Sequence, residues 1–131
     1  MKQEDKKLLL RYLCMALPYK VKVCLYERET CILLGIDGCD MYLDVDSDPF
    51  RIESIKPYLR PMSSMTEEEK KEFDNFCVID EFVWEGKTEI GHKNQAIIMS
   101  VAINWLLKKH FDFMDLIPKG LAIEVTEENY G

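Results

Sequence analysis

Residues 20–45 read KVKVCLYERETCILLGIDGCDMYLDV, and their alternation of apolar and polar side chains points to a sheet. From Lys20 to Tyr26, Val21, Val23 and Leu25 fall on one side and Lys20 and Lys22 on the other, the period of a half-buried strand. Glu27 to Glu29 is a polar break. Thr30 to Ile36 is a nearly continuous apolar run bounded by Gly35 and Asp37-Gly38, which reads as a more central strand. Asp-Gly is a turn signal between strands, and Met41, Leu43 and Val45 then alternate with Tyr42, Asp44 and Asp46 to give a third. Three strands on short connections predict an antiparallel meander.

On the N-terminal side, Leu8, Leu9, Tyr12, Leu13 and Ala16 recur at helical spacing until Pro18. This predicts a helix from about Asp5 to Leu17. On the other side, Asp48-Pro49, Pro57 and Pro61 mark an extended, irregular stretch whose Ile52, Ile55, Tyr58 and Leu59 should lie on the core. Thr66 and Glu69 have the spacing of a capping box, and Glu67 and Glu68 suit the positive end of a helix dipole. That helix should run to about Phe76.

Val78 to Trp84 reads equally as strand or loop, and Gly86 and Gly91 bracket a break. Asn94 to Lys109 is the strongest helical pattern, with Lys108 and Lys109 at its C-terminal end. Its apolar residues wrap nearly the whole circumference, so it is either central to the core or half committed to a partner chain. A Pro118-Lys119-Gly120 turn and a short apolar run, Leu121 to Val125, close the chain. The expected fold is one α+β domain over residues 1–131, with a small antiparallel meander of about three strands, a possible C-terminal strand and three helices.

The 131 residues carry 24 acidic and 17 basic side chains, a formal charge of −7. With no clustered Lys and Arg, nucleic acid is not an expected partner. The 47% apolar content suits one globular core. The odd set Cys14, Cys24, Cys31, Cys39 and Cys77 has no C-x-x-C pair, and His92 and His110 are far from it, so buried free thiols are expected. No signal peptide is visible, and the longest apolar run, Ala96 to Ile103, is far short of the ~20 residues of a membrane span. A soluble cytoplasmic protein is expected, with no membrane association and no cofactor.

Two clusters carry chemistry on paper. Asp37, Asp40, Asp44, Asp46 and Asp48 are rich in carboxylates, and Asp44, Asp46 and Asp48 match the first acidic positions of a calcium loop. Pro49 then stands where the loop needs Gly, and Ile55 where it needs a bidentate Glu. The solvated face of a strand is the simpler reading, with Asp44 and Asp46 as candidate metal ligands. The second cluster is His110, Asp112 and Asp115: His110 near carboxylates suits a general base, but its place past a helix end also suits a bond to the last carbonyls. No G-x-S-x-G, no phosphate loop and no activated cysteine is present, and Cys77 would lie at a helix C-terminus, where the dipole raises a thiol pKa. Trp84 and Trp105 read as core anchors.

Three segments resemble a family of small uncharacterised proteins from phages and prophages of gut Bacteroidetes. They are Leu17-Pro18-Tyr19-Lys20-Val21-Lys22, the run from Lys56 to Thr66 with its Leu-Arg-Pro-Met-Ser, and the run from Trp105 through His110-Phe111-Asp112 to Lys119-Gly120-Leu121-Ala122-Ile123. Their order and spacing span most of the chain. The resemblance implies a mobile-element protein of a bacterial cytoplasm and no particular chemistry; Arg60, His110 and Asp112 are its candidate binding residues. The functional expectation leans away from an enzyme, towards an accessory protein that binds a host or phage protein or self-associates through the Asn94–Lys109 helix. The alternative is a metal-dependent hydrolase or nuclease using Asp37–Asp48. Acidic mimicry of DNA fits the charge sign, but would need a continuous carboxylate stripe.

Overall fold

The computed structural model describes residues 1–77 and 89–125; the Val78–Trp84 segment, Trp84 and Gly86 lie outside them. Helix α1 (Gln3–Ala16) leads through a 3-10 turn into β1 (Lys22–Leu25), β2 (Glu29–Asp37) and β3 (Asp40–Leu43). Then follow β4 (Phe50–Arg51), a 3-10 turn at Ile52–Ser54, β5 (Ile55–Leu59), α2 (Glu67–Cys77), α3 (Glu89–Lys108) and β6 (Ile123–Glu124). The six strands form one open sheet in the order β4-β3-β2-β1-β5-β6. Every pairing is antiparallel except β5 with β6, where Tyr58 faces Ile123 and Leu59 faces Glu124.

The α+β class and the β1–β2–β3 meander follow the sequence pattern, but three strands undercounts the sheet. The additional strands come from the proline-marked stretch expected to be irregular, where β5 is an interior strand between β1 and β6. Proline is rare in such a strand because it cannot donate to a neighbour. Here the carbonyl of Leu59 accepts from the Val125 N–H at 2.8 Å, so odd-numbered residues of β5 turn their backbone towards β6. Pairing with β6 begins only at Tyr58, and the donor missing from Pro57 has no strand opposite it.

The third strand is also shorter than its alternation predicts. It ends at Leu43, and Val45 is exposed. Helix α3 starts at Glu89, earlier than Asn94, so Gly91 lies inside the helix instead of marking a break.

The core lies on one face of the sheet. Leu9, Tyr12, Leu13 and Ala16 of α1 pack on Val21, Val23, Leu25, Cys31, Leu33, Met41, Leu43, Ile55 and Leu59, with Leu107, Leu116 and Leu121 completing the cluster. Ile52, Ile55, Tyr58 and Leu59 are all buried, as expected. The cysteines divide: Cys24 and Cys31 are buried thiols, whereas Cys14 and Cys39 are exposed, against the expectation of burial. Among the described residues no helix is long and apolar enough to cross a membrane.

Turn chemistry explains the corners. Between Asp37 and Asp40 only Gly38 of the two-residue loop has positive φ (62°), the pattern of a type II′ hairpin. The β1–β2 corner is unusual, since Tyr26 (52°) and Glu27 (62°) both take left-handed conformations without a glycine. The Arg28 N–H closes the turn on the Leu25 carbonyl at 3.0 Å, and the Tyr26 N–H donates to Ser54 at 2.9 Å.

Candidate functional site

Arg60 stands where β5, α2 and the segment after α3 meet. Thr66 and Glu69 form the predicted capping box, with the Glu69 N–H donating to Thr66 Oγ1 at 3.1 Å and the Thr66 N–H to Glu69 Oε1 at 3.0 Å. The carboxylate so fixed receives the planar fork of Arg60, Nη1 to Oε2 at 2.8 Å and Nη2 to Oε1 at 2.7 Å. Nη2 also donates to the Ser64 carbonyl at 3.2 Å. The hydrogen bonds from Arg60, then those at Thr66, hold the Glu69 carboxyl down to about 2 against the opposing effect of burial. One face of the guanidinium lies 4.3 Å above the Phe111 ring centroid. Phe111 stacks on Trp105 at 5.8 Å and Trp105 meets Phe73 at 5.4 Å, so an aromatic column ties α2 to α3.

The backbone completes this node. The Arg60 N–H donates to the His110 carbonyl and the Asp112 N–H to the Arg60 carbonyl, both at 2.8 Å. His110 ends α3 in a left-handed conformation (φ 62°), its N–H on Leu107 and the Phe111 N–H on Leu106, each at 3.0 Å. This is a Schellman closure with histidine where glycine is usual, and Phe111 and Leu106 supply its apolar contact. Burial, then Lys22 and Arg60, push the His110 imidazole pKa down. The buried Asp112 carboxylate accepts from the Leu116 N–H at 2.8 Å and the Ile117 N–H at 2.9 Å. Gly120 (φ 73°) ends the turn that follows, with Gly120 bonded to Ile117 and Leu121 to Leu116.

The structure therefore brings Arg60, His110 and Asp112 together, and the interactions it gives them are those of a joint. The three sequence segments singled out above also converge here, because β5 pairs with β1 on one side and β6 on the other.

Asp44 and Asp46 lie elsewhere. The Asp44 carboxylate accepts the Ile32 N–H at 2.9 Å while its own N–H donates to the Ile32 carbonyl at 3.1 Å. The side chain thus takes over a ladder bond and ends β3. Asp46 accepts the Asp48 N–H at 3.3 Å, a short side-chain turn. Among the described residues no three His, Cys, Asp or Glu side chains are placed to hold a metal ion.

Two surface concavities have no signal in the sequence. One, of about 320 Å³, lies between the start of α1 and β3–β4 and is lined by Lys6, Lys7, Cys39, Asp40, Arg51 and Glu53. Its charges are largely matched internally: Lys6 pairs with Glu53 at 2.5 Å, and Arg51 stands opposite Asp40 in the β3–β4 register. The other, of about 520 Å³, is a groove between α1 and α3 lined by Met15, Met99, Ser100, Ile103, Asn104 and Leu107. Met99 is 58% and Val101 42% exposed, while Ala102, Trp105, Leu106 and Leu107 of the same helix are buried. The side chains of Ala96, Ile97 and Ile98 lie outside the described residues.

No family model, no curated protein and no solved structure matches this chain.

Proposed function

We propose that this chain is a non-enzymatic accessory domain that binds another protein through α3, at the groove it forms with α1. The observation that carries the reading is the 58% exposure of Met99 in an apolar groove that α3 forms with α1. Arg60, Glu69 and Asp112 support the same reading indirectly, since their side-chain polar groups are occupied in holding the fold. The phage or prophage setting rests on the sequence resemblance alone.

The test is affinity capture from bacterial lysate with the wild-type chain and a Met99→Asp/Val101→Asp variant side by side. A stoichiometric partner retained by the wild type and lost by the variant is the expected result. A partner kept equally by both would refute the assignment to α3. The hydrolase alternative draws no support from Asp44 and Asp46, whose carboxylates terminate a strand and a turn. It would regain standing if Mg²⁺ or Mn²⁺ raised the melting temperature and Asp44→Asn abolished the rise.

A further inference from the structure

The concavity between the start of α1 and β3–β4 shares no residue with the α1–α3 groove, and its lining has a chemistry of its own. Its volume of about 320 Å³ falls at the lower end of the clefts that hold small molecules. The α1 wall is one helix face, with Gln3, Lys7 and Leu10 on it beside Lys6. Asp40 lines it from β3, Arg51 from the end of β4 and Ile52 from the turn that follows. Lys6 and Glu53 neutralise each other in their ion pair. Lys7 and Arg51 then stand against the single carboxylate of Asp40, a positive surplus on a chain whose formal charge is −7. Opposition in the β3–β4 register does not bring Arg51 into an ion pair with Asp40, and neither Arg51 nor Lys7 has one among the described residues. Leu10 is half-buried and Ile52 is buried, so an apolar wall adjoins these two cations.

We propose that this concavity binds a small organic anion, its one carboxylate or phosphate head met by Arg51 and Lys7 and its short apolar body lying on Leu10 and Ile52. A guanidinium presents a planar fork that fits either head, and the lysine adds a point charge. Asp40 repels a second acidic head, which selects ligands with one. Because Lys7 and Arg51 are exposed, the affinity is modest and falls as salt is raised.

The experiment titrates the ¹⁵N-labelled full chain with benzoate, phenyl phosphate, inorganic phosphate and benzyl alcohol. NMR follows the Arg51 Nε–H, the Gln3 side-chain amide and the Cys39 backbone amide, with the Ser100 amide in the other groove as reference. Benzoate, phenyl phosphate or both should move the first three along one saturable curve in the millimolar range and leave Ser100 in place; which of the two binds tells a carboxylate head from a phosphate. Arg51→Gln, at an exposed position, should weaken that binding roughly three- to tenfold, read at Gln3 and Cys39, and Arg51→Lys should restore part of it. Lys7→Gln should act in the same direction, so the proposal does not hang on one variant folding. Benzyl alcohol binding as well as benzoate would make the concavity an apolar hollow with no preference for anions, and so overturn the proposal. Inorganic phosphate matching phenyl phosphate would mean an adventitious ion only. The absence of any saturable shift, or an affinity unchanged in both the Arg51→Gln and Lys7→Gln variants, also overturns it.

Discussion

Replacing Glu69 by Gln should cost most of the stability that its ion pair with Arg60 provides, and the cost should vanish in acid. The Glu69 side chain is 15% exposed and meets Arg60 through two bonds of 2.7–2.8 Å. Its pKa falls from an ordinary 4.5 to about 2. At roughly 1.4 kcal/mol per pH unit, that drop corresponds to about 3 kcal/mol favouring the folded state. Because the folded value is the lower one, this stability is present above pH 4.5 and lost as the pH falls towards 2. Gln keeps the shape and an oxygen for the Thr66 N–H but has no charge to titrate. Urea unfolding of both proteins from pH 7 to pH 2.5 measures the difference, which cancels the other carboxylates. The expected penalty is about 2–3 kcal/mol at pH 7, shrinking steadily below pH 4.5. A penalty that stays constant across the range, or is below about 0.5 kcal/mol at pH 7, would falsify the view that a charge-assisted fork holds β5 to α2.

Three further substitutions probe the same architecture. Asp112→Asn puts an amide where two N–H groups need acceptors and should cost about 2 kcal/mol, read from the urea midpoint; a neutral result would mean those bonds contribute nothing net. The lowered pKa of His110 makes the folded state favour neutral imidazole, so stability should fall as pH drops through about 6.5. His110→Asn, which tolerates the same backbone, should flatten that slope in melts between pH 5 and 7.5, and an unchanged slope would assign it elsewhere. Glu27→Gly should stabilise by about 1 kcal/mol by relieving a left-handed residue, because the 3.7 Å contact of Glu27 with Lys56 is solvent-exposed and weak. A lowered melting temperature would show that the side chain contributes more than the strain costs.

What is legible in the sequence follows from local rules, and what is not depends on distant partners. The core face of β1, the Gly38 turn and the Thr66–Glu69 box are each written within a few residues, and each forms as read, whereas the nearly continuous apolar run of β2 buries Cys31 and Leu33 but leaves Leu34 exposed. The strand β5 is hidden because Pro57 argues against an interior position, and only the register of β6 resolves the conflict. The early end of β3 is hidden because Asp44 fits an alternating strand equally well until its carboxylate takes the Ile32 N–H. Arg60, His110 and Asp112 can be singled out from sequence as candidates. Their joining by backbone bonds needs the chain to return to β5 from about fifty residues away, whereas the counter-ion Glu69 comes from only nine residues on, in the next helix. The α1–α3 groove requires two helices from opposite ends of the chain, which no single stretch of residues reports.

The parallel pairing of β5 with β6 has a kinetic consequence. The hairpins β1–β2, β2–β3 and β3–β4 join neighbours along the chain, whereas Tyr58 reaches Ile123 across roughly 65 residues. Closing so long a loop costs entropy that two short strands recover only once α2 and α3 have settled on Arg60 and Phe111. The meander should therefore gain protection first and the C-terminal strand last. In pulse-labelled hydrogen exchange during refolding, the Cys31 amide should be shielded well before that of Val125. The last bond to form, from Val125 to Leu59, would then register that every earlier step has been completed.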